Sequence, residues 1–131
     1  FEKFEPHAYT CPGGVRTIGY GFTDKALVSK NSLSKVEAQA ILDAKLEAHC
    51  DIVRKNVKVK LTIPQVYALA SFTYNCGVGN LRQLINGKGR LNSGNYDSVA
   101  ELMPKYCIGG GKVLNGLVRR RAWEVKLWQQ G

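Results

Sequence analysis

The chain lacks any long uninterrupted apolar run, although apolar residues make up 44% of its 131 positions. A membrane-spanning helix needs about 20 such residues in succession, so the stretch reads as a soluble globular domain with no span. It also lacks paired cysteines. Cys11, Cys50, Cys76 and Cys107 stand apart with no Cys-x-x-Cys spacing, and the His7-to-Cys11 spacing has no two further ligands to complete it. No metal site is expected. Four cysteines allow three disulfide pairings on paper, but a domain of this size needs none, and in a reducing cytoplasm all four stay thiols. Glycine is plentiful yet wrongly ordered for phosphate binding. Gly109-Gly110-Gly111-Lys112 lacks the spacing and the following Ser or Thr of a phosphate loop, and Gly19-x-Gly21 lacks the third glycine of a dinucleotide site, so both read as turns and no cofactor is expected. There is no internal repeat, no low-complexity segment, and no helix-turn-helix or RNA-recognition signature. The first residue is Phe1 and not Met, as expected of a processed or truncated product.

Acidic side chains are scarce as well, and unevenly so. The chain carries 19 basic against 10 acidic residues; residues 1–51 hold six basic and seven acidic ones, residues 52–131 thirteen basic and three acidic ones. The positive field therefore belongs to the C-terminal part. Such a field concentrates polyanions and weakens as salt rises. Nucleic acid, an anionic membrane surface, and peptidoglycan with its acidic stems and teichoic polymers all answer to it. The basic residues are not interleaved with exposed aromatics, which argues against nucleic acid.

What is present has clear periodicity. Val15, Thr17, Ile18, Tyr20 and Phe22 lie between glycines and predict an antiparallel hairpin region over residues 8–23 with a turn at Pro12-Gly13-Gly14. Ser34 and Glu37 form a capping-box pattern, after which Ile41, Ala44, Ala48 and Ile52 fall on one helical face. Thr62 and Gln65 repeat the box, with Pro64 tolerated in the first turn, Val66, Leu69, Ala70 and Thr73 as the stripe, and Gly77 as the stop. Further helices are expected near Leu81–Ile85, Tyr96–Met103 and Leu114–Trp128. At this length one core can form, so the expectation is a single domain over 1–131 of class α+β. It divides into a small hairpin lobe (1–33), a connecting helix (34–56) and a helical lobe (57–131), with a cleft expected between the lobes.

The chemistry is concentrated near the N-terminus. Eight residues separate Glu2 from Cys11 and five separate Cys11 from Thr17. An acid, a group able to activate a nucleophile and a hydroxyl in one short segment are what hydrolysis of a sugar linkage needs. Each has a plainer alternative: a solvated terminal carboxylate, a small buried thiol, and a β-branched strand residue.

The pattern Phe1-Glu2-Lys3-Phe4, Ala8-Tyr9-x-Cys11 and Gly14-Val15-x-Thr17-Ile18-Gly19-Tyr20-Gly21-Phe22-Thr23 resembles the N-terminal signature of bacteriophage lysozymes, the endolysin muramidases. Leu61-Thr62-x-x-Gln65-x-x-Ala68-Leu69-x-Ser71-Phe72-x-x-Asn75-x-Gly77 resembles their central helix. Gly111-Lys112-Val113-Leu114-x-Gly116-Leu117-Val118-x-Arg120-Arg121-Ala122-x-Glu124 resembles their last one. The resemblance implies a lysozyme-like fold and hydrolysis of the β-1,4 bond between N-acetylmuramic acid and N-acetylglucosamine, by single displacement with inversion. It makes Glu2 the acid, Cys11 the base and Thr17 the residue positioning water. Most of the family carries aspartate where Cys11 stands, and a subset carries cysteine. A disulfide on Cys11 would silence such an enzyme, a redox gate found in some secreted members. Phe22 replaces a frequent histidine and Lys3 a usual glycine. Asn75 occupies the place of a cleft amide, or caps its helix beside Gly77. Tyr9 and Tyr20 stack on sugar rings, or pack as core aromatics. One of Arg119, Arg120 and Arg121 is expected to turn inward, Arg121, reaching Glu2 or Glu5 as structural support. The implied partner is the peptidoglycan glycan strand, met by a monomer made in the host cytoplasm and acting at the periplasm or cell wall, with an anionic membrane surface as a second partner. Two other readings fit parts of the pattern: a lytic transglycosylase using Glu2 alone, and a non-catalytic cationic wall or membrane binder.

Overall fold

The computed structural model describes residues 3–11 and 13–131. It divides into two compact units, Phe1–Lys45 with Gly109–Lys112, and Leu46–Ile108 with Val113–Gly131.

In the first unit, strand β1 (Glu5–Thr10) pairs antiparallel with β2 (Arg16–Gly19), with Tyr9 opposite Thr17 and Thr10 opposite Arg16, and an irregularity between Glu5 and Tyr9. The chain then folds back on itself at once. Ile18 and Phe22 exchange both backbone hydrogen bonds, at 2.9 and 2.8 Å, across a turn that starts at Gly19. Gly19 has φ +67°, and a Cβ there would stand 2.8 Å from the Phe22 ring, so both the backbone and the packing require glycine. Ile18, Phe22, Leu33 and Ala38 form the buried apolar set of this unit among the described residues. A short helix, α1 (Lys25–Lys30), ends on Asn31 in the left-handed region. Asn31 fixes β1, because its carbonyl meets the His7 ring at 3.0 Å and its side chain accepts from the Ala8 N–H at 3.1 Å. Lys45 closes the unit, with its ammonium 2.9 Å from Asp24 and 5.6 Å from the Phe22 ring centroid.

Helix α2 (Lys35–Asn56) begins at the expected capping box, where the Ser34 hydroxyl accepts from the Glu37 N–H and the Glu37 carboxylate from the Ser34 N–H, at 3.1 and 3.2 Å. The expected stripe needs correction. Ala44 and Ala48 are exposed, and the buried positions of this helix are Ala38, Cys50 and Val53.

The second unit is built around α3 (Ile63–Cys76), which starts at a complete Thr62/Gln65 capping box and stops at Gly77, φ +87°. Every residue from Ala68 to Thr73 is buried. A helix buried on all sides must sit at the centre of its core. Around it stand α4 (Val78–Ile85), a 3₁₀ turn (Leu91–Ser93), α5 (Asp97–Leu102) running into a second 3₁₀ turn (Met103–Lys105), and α6 (Asn115–Gln129). Gly110 and Gly111 form the turn of a short hairpin, β3 (Ile108–Gly109) with β4 (Lys112–Val113), whose tip, Gly109–Lys112, belongs to the first unit. Leu69, Phe72, Leu81, Leu84, Ile85 and Met103 are fully enclosed in this core. The class is α+β.

Candidate active site

Cys11 opens the loop that joins β1 to β2. Its N–H donates to the Val15 carbonyl at 2.9 Å and its carbonyl accepts from Gly14 at 2.8 Å, which curls the backbone around the sulfur. Pro12 and Glu2 lie outside the described residues, so the expected acid has no described position. Partial burial works against ionisation of the Cys11 thiol. It is outweighed by hydrogen bonds to the sulfur from the Val15 and Gly13 backbone, the Thr17 hydroxyl and the Cys11 N–H, which hold the thiol below its ordinary range.

Thr17 is buried on β2 and belongs to this sulfur's surroundings. Its hydroxyl also reaches the Val15 carbonyl at 2.9 Å. A hydroxyl has one proton. While it points at Val15 it cannot support the thiolate, so the rotor chooses between carbonyl and sulfur, and we take the sulfur-directed state as the one that lowers the Cys11 pKa. Cys11 and Thr17 are therefore brought together. Tyr9, opposite Thr17, is half-buried. The Tyr20 ring packs between Phe4 and Phe22, with centroids at 5.6 and 6.5 Å, which makes it part of an aromatic cluster. Phe22 is the floor of that cluster and is buried in the unit's core.

Asn75 and Arg121 belong to the second unit. Asn75 does not cap its helix, because Gly77 does, through a 2.7 Å bond from its N–H to the Thr73 carbonyl. Asn75 instead lines a pocket of about 380 Å³ together with Cys76, Asn80, Lys105, Tyr106 and Leu117. Two carboxamides, one cation and an apolar wall make a polar recess suited to a sugar or peptide group.

Arg121 is buried. Its carboxylate among the described residues is Glu124, at 2.6 Å from Nε to Oε1 and 3.1 Å from Nη2 to Oε2; the expected partners were Glu2, which is not described, and Glu5. The shorter contact is a charge contact without an aligned N–H, and neither atom has another hydrogen bond among the described residues. The expected number of inward arginines needs correction, since Arg120 is buried as well as Arg121. Arg120 donates to Ser71 and Glu124, and the Ser71 hydroxyl donates to Glu124 at 2.5 Å. Arg121 also donates to the Cys76 sulfur at 2.6 Å and to the Tyr106 carbonyl at 3.2 Å. Burial nevertheless dominates at Cys76 and raises its thiol pKa despite the adjacent guanidinium, so this cysteine stays neutral. The cluster Ser71, Arg120, Arg121 and Glu124 was not anticipated. Its signal is the i, i+3 and i, i+4 spacing of Glu124 from two arginines on a helix that must bury one face. All four cysteines are free thiols. Among the described residues no cluster could hold a metal ion.

The phage lysozyme family model matches residues 1–124 of this sequence. The chain belongs to that family. An endolysin of Bacillus phage B103 is 37% identical over 133 residues, covering 100% of this chain and 50% of the phage protein. A SAR-endolysin of Bacteriophage PS119 is 31% identical over 117 residues, covering 88% of this chain and 70% of that protein. The muramidase domain of SpmX from Asticaccaulis excentricus superposes with a TM-score of 0.77 at 30% identity, covering 97% of this chain and 88% of that one, so the fold is lysozyme-like. The chain spans about half the length of the Bacillus phage endolysins it matches.

Proposed function

We propose that the protein is a muramidase that hydrolyses the β-1,4 bond between N-acetylmuramic acid and N-acetylglucosamine in peptidoglycan and thereby lyses the host cell. Residues 1–131 act as one catalytic domain and as a monomer. Glu2 donates the proton to the leaving oxygen, Cys11 in its thiolate form takes a proton from water, and Thr17 holds that water. Asn75, Tyr9 and Tyr20 contact the glycan, and Arg121 gives structural support. The observation that carries this reading is the turn around Cys11, whose amides and Thr17 hydroxyl favour the thiolate that a base requires. The site of action is the cell wall, reached after synthesis in the host cytoplasm; among the described residues no helix is long and apolar enough to cross a membrane.

Turbidity loss of permeabilised cells tests the assignment. Cys11→Ser is expected to lose at least about two orders of magnitude in rate, the scale of a general base, whereas Cys11→Asp keeps measurable activity. A fully active serine variant makes the thiol a bystander. Glu2→Gln is expected to be inactive, and mass spectrometry of the digest should find hydrated reducing ends. An anhydro-sugar there would show transglycosylation instead.

A further inference from the structure

Between Asp51 and Asp97 the chain contains no acidic residue. Arg54, Lys55, Lys58 and Lys60 lie in one segment of that interval, Arg82, Lys88 and Arg90 in another, and all are exposed except Arg90, which is half-buried. The two segments are joined by amide side chains. Asn92 accepts from the Lys58 N–H at 2.8 Å and donates to the Asn56 carbonyl at 3.0 Å and to Asn86 at 2.8 Å. Arg82 donates to the Asn56 side chain at 3.2 Å, and the Tyr96 hydroxyl to the Lys60 carbonyl at 2.7 Å. The glycine-rich loop that carries Lys88 and Arg90 is pinned from within: Ser93 bonds Gly87, Asn95 bonds Gly89 and Arg90 bonds Gln83, at 2.7, 3.1 and 2.7 Å. Among the described residues, Asp51, 3.7 Å from Arg54, is the one acid in an ion pair with these cations.

A rigid, one-signed surface of this kind selects a polyanion. Which polyanion follows from what the two segments lack. None of the exposed large apolar side chains falls in residues 54–60 or 82–95, so there is no wedge for a bilayer and no ring for a base to stack on. A flexible polyol phosphate needs neither. We propose that this surface binds the linear phosphodiester polymers of the cell wall and holds the protein against it. The choice of a wall polymer rests on the muramidase reading, which puts the protein among such chains.

The test measures binding of soluble polyglycerol phosphate over a salt series. A variant carrying Lys55→Gln, Lys58→Gln, Lys60→Gln and Lys88→Gln is compared with a control of equal charge change, Lys25→Gln, Lys35→Gln, Lys112→Gln and Lys126→Gln, after both are shown to melt as the parent does. The first should bind about tenfold or more weakly, with the slope of log K against log salt reduced by about 0.7 per lysine, the value for single-stranded polyanions. The control should stay within about twofold of the parent, since it leaves those phosphate contacts in place. On phosphodiester-free peptidoglycan the first variant should hydrolyse at the parent rate. Equal loss in both variants, or none in the first, overturns the proposal, as does tighter binding of single-stranded DNA or anionic vesicles through the same lysines. A loss of hydrolysis on the stripped wall also overturns it. If the parent binds the polymer through these lysines but hydrolyses nothing, the muramidase reading falls and the binding surface stands.

Discussion

At the scale of the single residue, Cys11 decides the pH behaviour. A base acts in its deprotonated form and the acid Glu2 in its protonated one, so the pH–rate profile should be bell-shaped, with one limb set by the Cys11 thiol, whose pKa is held below its ordinary value. Thr17→Val removes one of the hydrogen bonds that lower it, and the limb should then move toward alkaline pH. Cys11→Asp should move it the other way, toward the carboxylate range near about 4. Site-resolved alkylation of the thiol against pH, read by mass spectrometry, checks the first shift independently of activity. An unmoved alkylation profile in Thr17→Val would mean that the hydroxyl stays on the Val15 carbonyl. The thiol and hydroxyl were legible as a pair from their place in the motif. The loop amides that tune the sulfur were not, because their orientation depends on backbone angles that no residue type there dictates. Tyr20 was legible only as an aromatic, since its packing between Phe4 and Phe22 depends on the sharp turn at Gly19.

At the scale of the element, the two capping boxes mark helix starts so well because each satisfies backbone donors with its own side chains, independently of what the helix later packs against. Helix α1 leaves no such mark in the sequence, for the opposite reason. It has six residues, none buried and no side-chain cap, so it carries no periodic signal. The stripe expected on α2 was misplaced because the helix has many half-exposed positions and low contrast between faces. Helix α6 holds the largest surprise, since its apolar spacing conceals a buried charge cluster, Arg120, Arg121 and Glu124, bonded to Ser71 of α3. Breaking a buried pair leaves an uncompensated charge, so Glu124→Gln, facing two guanidinium groups, should destabilise the protein by about 3–5 kcal/mol. Chemical denaturation with an unchanged m-value is the measurement. A cost below about 1 kcal/mol would place this carboxylate with the weak surface pairs and not with the anchors of α6.

At the scale of the whole molecule, charge is segregated along the chain, net positive almost entirely beyond residue 51. The sequence displayed that segregation directly; that residues 54–60 and 82–96 would be tied together depended on Asn56 and Asn92, whose partners lie 34 and 36 positions apart and leave no local pattern. A field of this kind acts during approach and not on bond cleavage, so salt should separate the two. Between about 0.01 M and 0.15 M the screening length falls from about 30 Å to about 8 Å. Over that range kcat/KM on the intact anionic wall should fall severalfold while kcat holds, because encounter is steered and the reacting groups stay in contact. On a soluble uncharged oligosaccharide both constants should be insensitive to salt. If the uncharged substrate slows as steeply as the wall, salt is acting on the folded site itself, and the basic surface has no part in delivering the enzyme to its substrate.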